Sequence, residues 1–197
     1  MAAVNKAVGK LRIIGGRWRS RQLPVADLSG LRPTTDRVRE TLFNWLQSDI
    51  GGAHCLDLFA GSGALGFEAA SRGSASVLMI EKQSLAVKTL TANIQTLQAD
   101  NAEVLQQDAI DWLASATAKP YDIVFVDPPF SSDCLVQACQ LLEAKHWLAE
   151  HACIYLETDS RRPLPELPER WRVTKEKKAG QVGYYLIRRN FIEKQEK

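Results

Sequence analysis

Two stretches of the chain carry residue types whose spacing could do chemistry. The first, Asp57-Leu58-Phe59-Ala60-Gly61-Ser62-Gly63-Ala64-Leu65-Gly66, joins an apolar run to a helical pattern. Gly61 and Gly63 let the backbone turn sharply and let a ligand approach the main chain. With Gly66 they also satisfy G-x-G-x-x-G, the dinucleotide fingerprint. Glu81 lies twenty positions after Gly61, at the end of the next apolar run, where a carboxylate can accept from a ribose diol. The alternative is a packing turn with an exposed acid, which leaves the matched spacing unexplained. The pair points to a bound nucleoside.

Charge separates the candidate nucleosides. A dinucleotide brings an anionic pyrophosphate to the turn, where the Asp57 carboxylate would repel it. S-adenosylmethionine brings a sulfonium and an ammonium, which Asp57 would attract directly or through water. Asp108, after Gln106-Gln107, can accept from an adenine amino group, or cap a helix starting at Ala109, or both. The expected cofactor-binding set is Asp57, Phe59, Ala60, Gly61, Gly63, Glu81, Lys82, Asp108 and Ala109.

The second stretch is Asp127-Pro128-Pro129-Phe130. The prolines fix φ and cannot continue a hydrogen-bonded strand, so the corner is rigid. It suits transfer to an exocyclic amine of a planar base, whose lone pair is delocalised into the ring. The Asp127 carboxylate and the Pro128 carbonyl could hold the two N–H groups and turn the lone pair toward a methyl group. Phe130 could stack on a flipped base. Asp127, Pro128 and Phe130 are therefore the expected catalytic residues. Alone, such a tetrapeptide reads as a stiff loop with a capping Asp. Its position, sixty-six residues after Gly61 at a strand end, favours chemistry.

The elements that must position these residues alternate. Apolar runs at 55–59, 76–81, 103–107, 121–126 and 153–157 read as strands. Helical patterns at 64–70, 84–97, 109–116 and near 133–149 separate them. Right-handed crossovers then give a mostly parallel α/β sheet. With the order 3-2-1-4-5, the first and fourth strands are neighbours and Asp127 lies beside the Gly61 turn. Two runs, 172–175 and 183–187, follow as a hairpin and an antiparallel edge. Near the start, Lys10–Ile14 and Trp18–Leu23 flank Gly15-Gly16 as another hairpin. Thr and Asp36 then open a helix through Val38, Leu42, Trp45 and Leu46.

Composition excludes other classes. The chain has 197 residues, 45% hydrophobic and 24% charged, which suits one domain with a sizeable core rather than a disordered chain. No apolar run approaches the roughly 20 residues of a membrane span. The opening residues lack a signal-peptide core, so the expected location is cytoplasmic. Cys55, Cys134, Cys139 and Cys153 and three scattered histidines lack metal-ligand spacing, and no metal is expected.

The net charge of +2 hides an asymmetry. Residues 1–48 carry nine Lys/Arg against three acids, residues 49–160 five against fifteen, and the remainder eleven against five. An acidic middle suits a cationic cofactor, and basic ends suit a polyanion. Arg12, Arg17, Arg19 and Arg21 are expected on RNA phosphates, with Trp18 packed or stacked beneath them. Arg32, Arg37 and Arg39 are expected nearer the cofactor, linking hairpin to sheet. A hairpin edge merely protected by charge is the alternative.

These blocks together resemble a known family. Class I S-adenosylmethionine-dependent methyltransferases pair a D-x-F-x-G-x-G turn with [DNS]-P-P-[YF]. Arg12-Ile13-Ile14-Gly15-Gly16-Arg17 and Arg32-Pro33-Thr34-Thr35-Asp36-Arg37-Val38-Arg39-Glu40 extend the likeness to one branch across essentially the whole chain. That branch is the bacterial 16S ribosomal RNA (guanine(966)-N(2))-methyltransferases. The resemblance implies a seven-stranded sheet of order 3-2-1-4-5-7-6 with the last strand antiparallel and helices on both faces. It also implies a substrate in the assembled or assembling small ribosomal subunit and a monomeric enzyme. The expected organisation is a basic hairpin extension over 1–30, a methyltransferase domain over 31–190 and a charged tail over 191–197. Rival readings are a DNA adenine-N6 methyltransferase, for which 197 residues leave no recognition domain, and a nicotinamide oxidoreductase, which leaves Asp57 and the Pro-Pro corner unexplained. A non-catalytic RNA-binding module would leave the cofactor turn idle.

Overall fold

A computed structural model describes residues 9–27, 35–129 and 134–190. Arg32, Phe130, the expected domain boundary at 30/31 and the expected tail over 191–197 lie outside the described residues.

Strands β1 (Gly9–Arg12) and β2 (Gln22–Val25) pair antiparallel, with a 3-10 turn at Gly16–Trp18 between them. The hairpin is as expected, but Trp18–Arg21 belong to its connection rather than its second strand. Helix α1 (Asp36–Trp45) is capped by Thr35, whose hydroxyl accepts from the Val38 amide at 3.4 Å.

The main sheet then builds by crossovers: β3 (His54–Asp57), α2 (Ala64–Ser71), β4 (Ser76–Glu81), α3 (Ser84–Leu97), β5 (Ala102–Gln106), α4 (Ala109–Ser115), β6 (Tyr121–Val126), α5 (Cys134–Ala144) and β7 (Leu148–Asp159). Strands β8 (Trp171–Ala179) and β9 (Val182–Arg189) complete it. The order is β5-β4-β3-β6-β7-β9-β8, which is 3-2-1-4-5-7-6 counted from β3, with β9 antiparallel to both neighbours. The final hairpin differs from an antiparallel edge in one respect. Its later strand inserts beside β7, and the earlier strand β8 becomes the edge. Helix α5 also ends at Ala144, short of the expected 149, because β7 already starts at Leu148.

Alternation along the strands divides the core into two layers. One face of the sheet packs Cys55, Met79, Phe125 and Tyr155 against α1, α2, α3 and the hairpin. The other packs Leu58, Ile80, Val126 and Leu156 against α4 and α5. Leu11, Ile13, Trp18, Leu23 and Val25 of the hairpin share the first core. The buried stripe of α3 includes Asn93, whose amide donates to the Pro24 carbonyl at 3.0 Å and so ties the hairpin to the domain.

Candidate active site

The site assembles at the C-terminal ends of the central strands. Strand β3 runs between β4 and β6, and its exit is tied to both. The Leu58 amide donates to the Phe125 carbonyl at 3.1 Å and the Ala60 amide to the Ile80 carbonyl at 3.0 Å. The turn that follows needs positive φ at Gly61 (50°) and Gly63 (76°). Gly66 has a different role. A Cβ there would lie 2.7 Å from Met79, so its absence lets α2 press onto β4.

Asp57 is buried under the turn, 2% exposed, and its Oδ2 accepts from the Gly66 amide at 3.0 Å. It therefore anchors the N-terminal turn of α2. Burial pushes its pKa up to about 7 against the pull of the Gly66 amide, and the charge of Glu81 raises it further. The expected attraction of Asp57 for a cation is accordingly that of a partial charge at neutral pH.

Glu81 is held by the turn itself. Its Oε2 accepts from the Gly61 amide at 2.9 Å and its Oε1 from the Gln83 amide at 2.7 Å. A carboxylate offers about four lone-pair sites, so each oxygen keeps one for a ribose hydroxyl. Asp108 does cap α4, accepting on Oδ1 from the amides of Ile110 (3.0 Å) and Asp111 (3.4 Å). Its Oδ2 lies 3.9 Å from the ammonium of the exposed Lys82. Phe59 is half-buried against the α4 side, and Ala109 is buried there. Carboxylates beside the turn backbone, which is only partly covered at Gly61, and beside apolar surface suit a ribose, an adenine and a cationic tail. The residues fit S-adenosylmethionine.

Asp127 follows β6 directly, half-buried, with Pro128 buried and Pro129 exposed. Strand β6 pairs with β3 through Asp57 opposite Phe125. The acid corner therefore leaves the strand next to the one that feeds the glycine turn, at the same end of the sheet.

The basic residues of the N-terminal block are distributed otherwise. Arg39 is 1% exposed; its Nη2 donates to the Arg12 carbonyl at 2.8 Å and to Asp36 Oδ1 at 2.6 Å. The RNA contact expected of Arg39 is corrected by this burial, whereas its linking of hairpin to domain is what the structure contains. Trp18 is 9% exposed, packed into the core, with the Arg17 guanidinium 4.0 Å over its ring. Arg17 also bonds Asn101 Oδ1 at 2.6 Å and Asp100 Oδ1 at 3.1 Å. Those residues precede β5, so the hairpin tip sits at the N-terminal edge of the sheet, away from the Gly61 turn. Arg12 pairs with Asp36 at 2.7 Å. Arg19, Arg21 and Arg37 are exposed.

Two further acids escaped sequence reasoning. Glu68 on α2 is fully buried; its carboxylate accepts from the amides of Ile14 and Gly15, both at 2.8 Å, and pairs with Arg72 at 2.7 Å. Glu157 lies near the end of the buried run of β7, before Thr158, and accepts from the Tyr155 hydroxyl at 2.7 Å. An acid ending an otherwise apolar strand was the available signal for Glu157. Among the described residues no group of three His, Cys, Asp or Glu side chains could hold a metal ion, and no helix is long and apolar enough to cross a membrane.

A glycine turn beside an Asp-Pro-Pro corner, on a sheet of order 3-2-1-4-5-7-6, defines the fold class of S-adenosylmethionine-dependent methyltransferases. An RNA methyltransferase from Salinibacter ruber, solved in complex with S-adenosyl-L-homocysteine, has this fold at a TM-score of 0.63 and 18% identity, over 84% of this chain and 98% of that one. The family described as Conserved hypothetical protein 95 matches residues 11–188, and the chain belongs to it. Ribosomal RNA small subunit methyltransferase D of Escherichia coli K12 is 52% identical over 181 residues, 92% of this chain and 91% of that protein. The Haemophilus influenzae protein of the same name is 48% identical over 183 residues, 91% and 94% of the two chains. A solved structure from Escherichia coli is similar at a TM-score of 0.87 and 49% identity, over 92% of this chain and 99% of that one.

Proposed function

We propose that this chain methylates the exocyclic N2 amine of guanine 966 in 16S ribosomal RNA, acting as a monomer on the assembled or assembling small subunit. The observation that carries the reading is the placement of Asp127 at the end of β6, one strand from the Gly61 turn. The identity to relatives named ribosomal RNA small subunit methyltransferase D supports the RNA substrate.

S-adenosylmethionine, when bound, supplies an electrophilic methyl group on a sulfonium. Glu81 accepts from the ribose hydroxyls, Asp108 from the adenine amine, and the backbone of Phe59, Ala60, Gly61 and Gly63 lines the turn. Asp127 and the Pro128 carbonyl accept the two N–H bonds of the target amine, which turns its lone pair out of conjugation and toward the turn. Phe130 stacks on the base and fixes its plane. Arg19, Arg21 and Arg37 contact RNA phosphates, with Arg12 and Arg17 exchanging their carboxylates for phosphates.

The test is transfer of labelled methyl groups to total RNA, total DNA and small ribosomal subunits, followed by nucleoside analysis. N2-methylguanosine in 16S RNA is the expected product. N6-methyladenine in DNA, or no transfer to any of the three, overturns the proposal.

A further inference from the structure

Strands β6 and β7 pair in parallel through Phe125 opposite Tyr155 and Val126 opposite Leu156. The next step of that register sets Asp127 beside Glu157, on the same face and about one strand spacing, ~4.8 Å, apart. Glu157 is 4% exposed and lies opposite Tyr184 of β9, whose ring stacks on Trp45 at 5.5 Å. The Tyr155 hydroxyl donates to Glu157 Oε1 at 2.7 Å, and its pKa is driven well above the usual value by burial and by the charges of Glu157 and Asp127. Both carboxylates therefore act on the same tyrosine.

The contrast with Glu68 matters. Glu68 lies on the same side of the sheet, on α2, where it holds the hairpin through the amides of Ile14 and Gly15. Glu157 instead shares the strand-end row with the acid corner. A guanine presents N1–H beside its N2 amine, two donors on one edge. An acceptor at Asp127 for the amine leaves N1–H directed along that edge, where a neighbouring strand can supply a second acceptor.

We propose that Glu157 determines specificity by accepting the N1–H of the target guanine, so that purines with a 2-amino group but no N1–H are rejected. The proposal rests on the guanine N2 reading above. Shielding from water strengthens such a charged acceptor for N1–H and makes its repulsion of an unprotonated N1 costly. Tyr155 orients the carboxylate, and the Trp45–Tyr184 stack walls the side remote from the cofactor turn.

The test uses 16S RNA assembled by ligation with guanine or 2-aminopurine at the target position, reconstituted into small subunits. 2-Aminopurine keeps the amine and carries a lone pair at N1. Wild type is expected to prefer guanine by about 100-fold in single-turnover rate. Glu157→Gln, whose amide can donate to that lone pair, should shrink the preference at least about tenfold. Comparing ratios between the two proteins cancels the intrinsic reactivity difference of the bases. Equal wild-type rates on the two RNAs overturn the proposal, as does an unchanged ratio in Glu157→Gln that binds S-adenosylhomocysteine normally. If that variant does not fold, Glu157→Asp replaces it and must slow guanine more than 2-aminopurine; an equal slowing overturns the proposal. A wild type that methylates no guanine N2 refutes the underlying reading instead, and the inference falls with it.

Discussion

Helix α2 meets two different regions at its two ends. At its N-terminus lie Asp57, the Gly61 turn and Glu81, all within 25 consecutive residues. Toward its C-terminus lie Glu68, Ser71 and the hairpin, joined by contacts between residues 53 to 56 positions apart. Both regions are rich in acids and backbone amides, yet they use them differently. Around the turn, Glu81 and Asp108 keep acceptor capacity for a ligand. In the seam, Glu68 is consumed by the amides of Ile14 and Gly15 and by Arg72, and Arg39 lies 3.5 Å from its Oε2. The Trp18 amide donates to the Ser71 hydroxyl at 3.0 Å, which donates to the Gly15 carbonyl at 2.6 Å. Gly16 closes the seam: a Cβ at its positive φ would lie 1.9 Å from the Ser71 carbonyl oxygen. A charge in the sequence is thus a surface charge only where no partner from a distant segment claims it.

The comparison can be broken most severely at Glu68. Glu68→Ala leaves the buried amides of Ile14 and Gly15 without their acceptor and takes away the second of the two carboxylates beside Arg39, and should cost about 3–5 kcal/mol of stability. Urea unfolding should show a lower midpoint at unchanged slope. A loss below about 1 kcal/mol would mean that the seam is dispensable. The turn region should respond in catalysis instead. Asp127→Ala is expected to lower turnover about 10²–10³-fold with little change in S-adenosylhomocysteine affinity by calorimetry. Near-normal turnover would remove the acid corner from the reaction.

Asp57 sharpens the comparison through pH. Its pKa in the folded chain, about 7, lies above the ordinary carboxylate value, so the folded state binds the extra proton. The associated stability is fully present below about pH 4 and is lost as pH rises through about 7. Asp57→Asn keeps an acceptor for the Gly66 amide and removes the titration. Relative to wild type it should gain about 1–3 kcal/mol between pH 5 and pH 8, read from urea unfolding at both values. A constant difference would show that Asp57 does not titrate there. The smallest effect is expected at the hairpin. Arg19→Ala with Arg21→Ala should weaken RNA binding only a few-fold and flatten its logarithmic salt slope by about 1.4, at about 0.7 per lost contact. An unchanged slope would leave the hairpin as a folded seam without phosphate contacts.

Much of the turn region was legible because its contacts are local and its signals periodic. Apolar runs and helical stripes specify the alternation, glycines specify the turn, and the distance from Gly61 to Glu81 is one crossover. The parallel sheet then follows from the crossovers, and the strand order that sets β6 beside β3 brings Asp127 next to the turn. Asn93 shows the limit. Its place in the buried stripe of α3 follows from the Pro24 carbonyl of a strand 69 residues earlier.

By itself the sequence determined the alternation of strands and crossover helices and the places of the glycine turn and the Asp-Pro-Pro corner after their strands, since spacing along the chain is enough to define them. Only the tertiary structure decided that Arg39 is an internal strut, that Trp18 is core and that Arg17 lies at the far edge of the sheet. It alone set Glu157 beside Asp127. The physical reason is that burial and pairing of a charge depend on what the rest of the chain places around it. An arginine in a basic run has the same identity whether it faces water or Asp36 and Glu68, and only the packing of α1, α2 and the hairpin distinguishes the two.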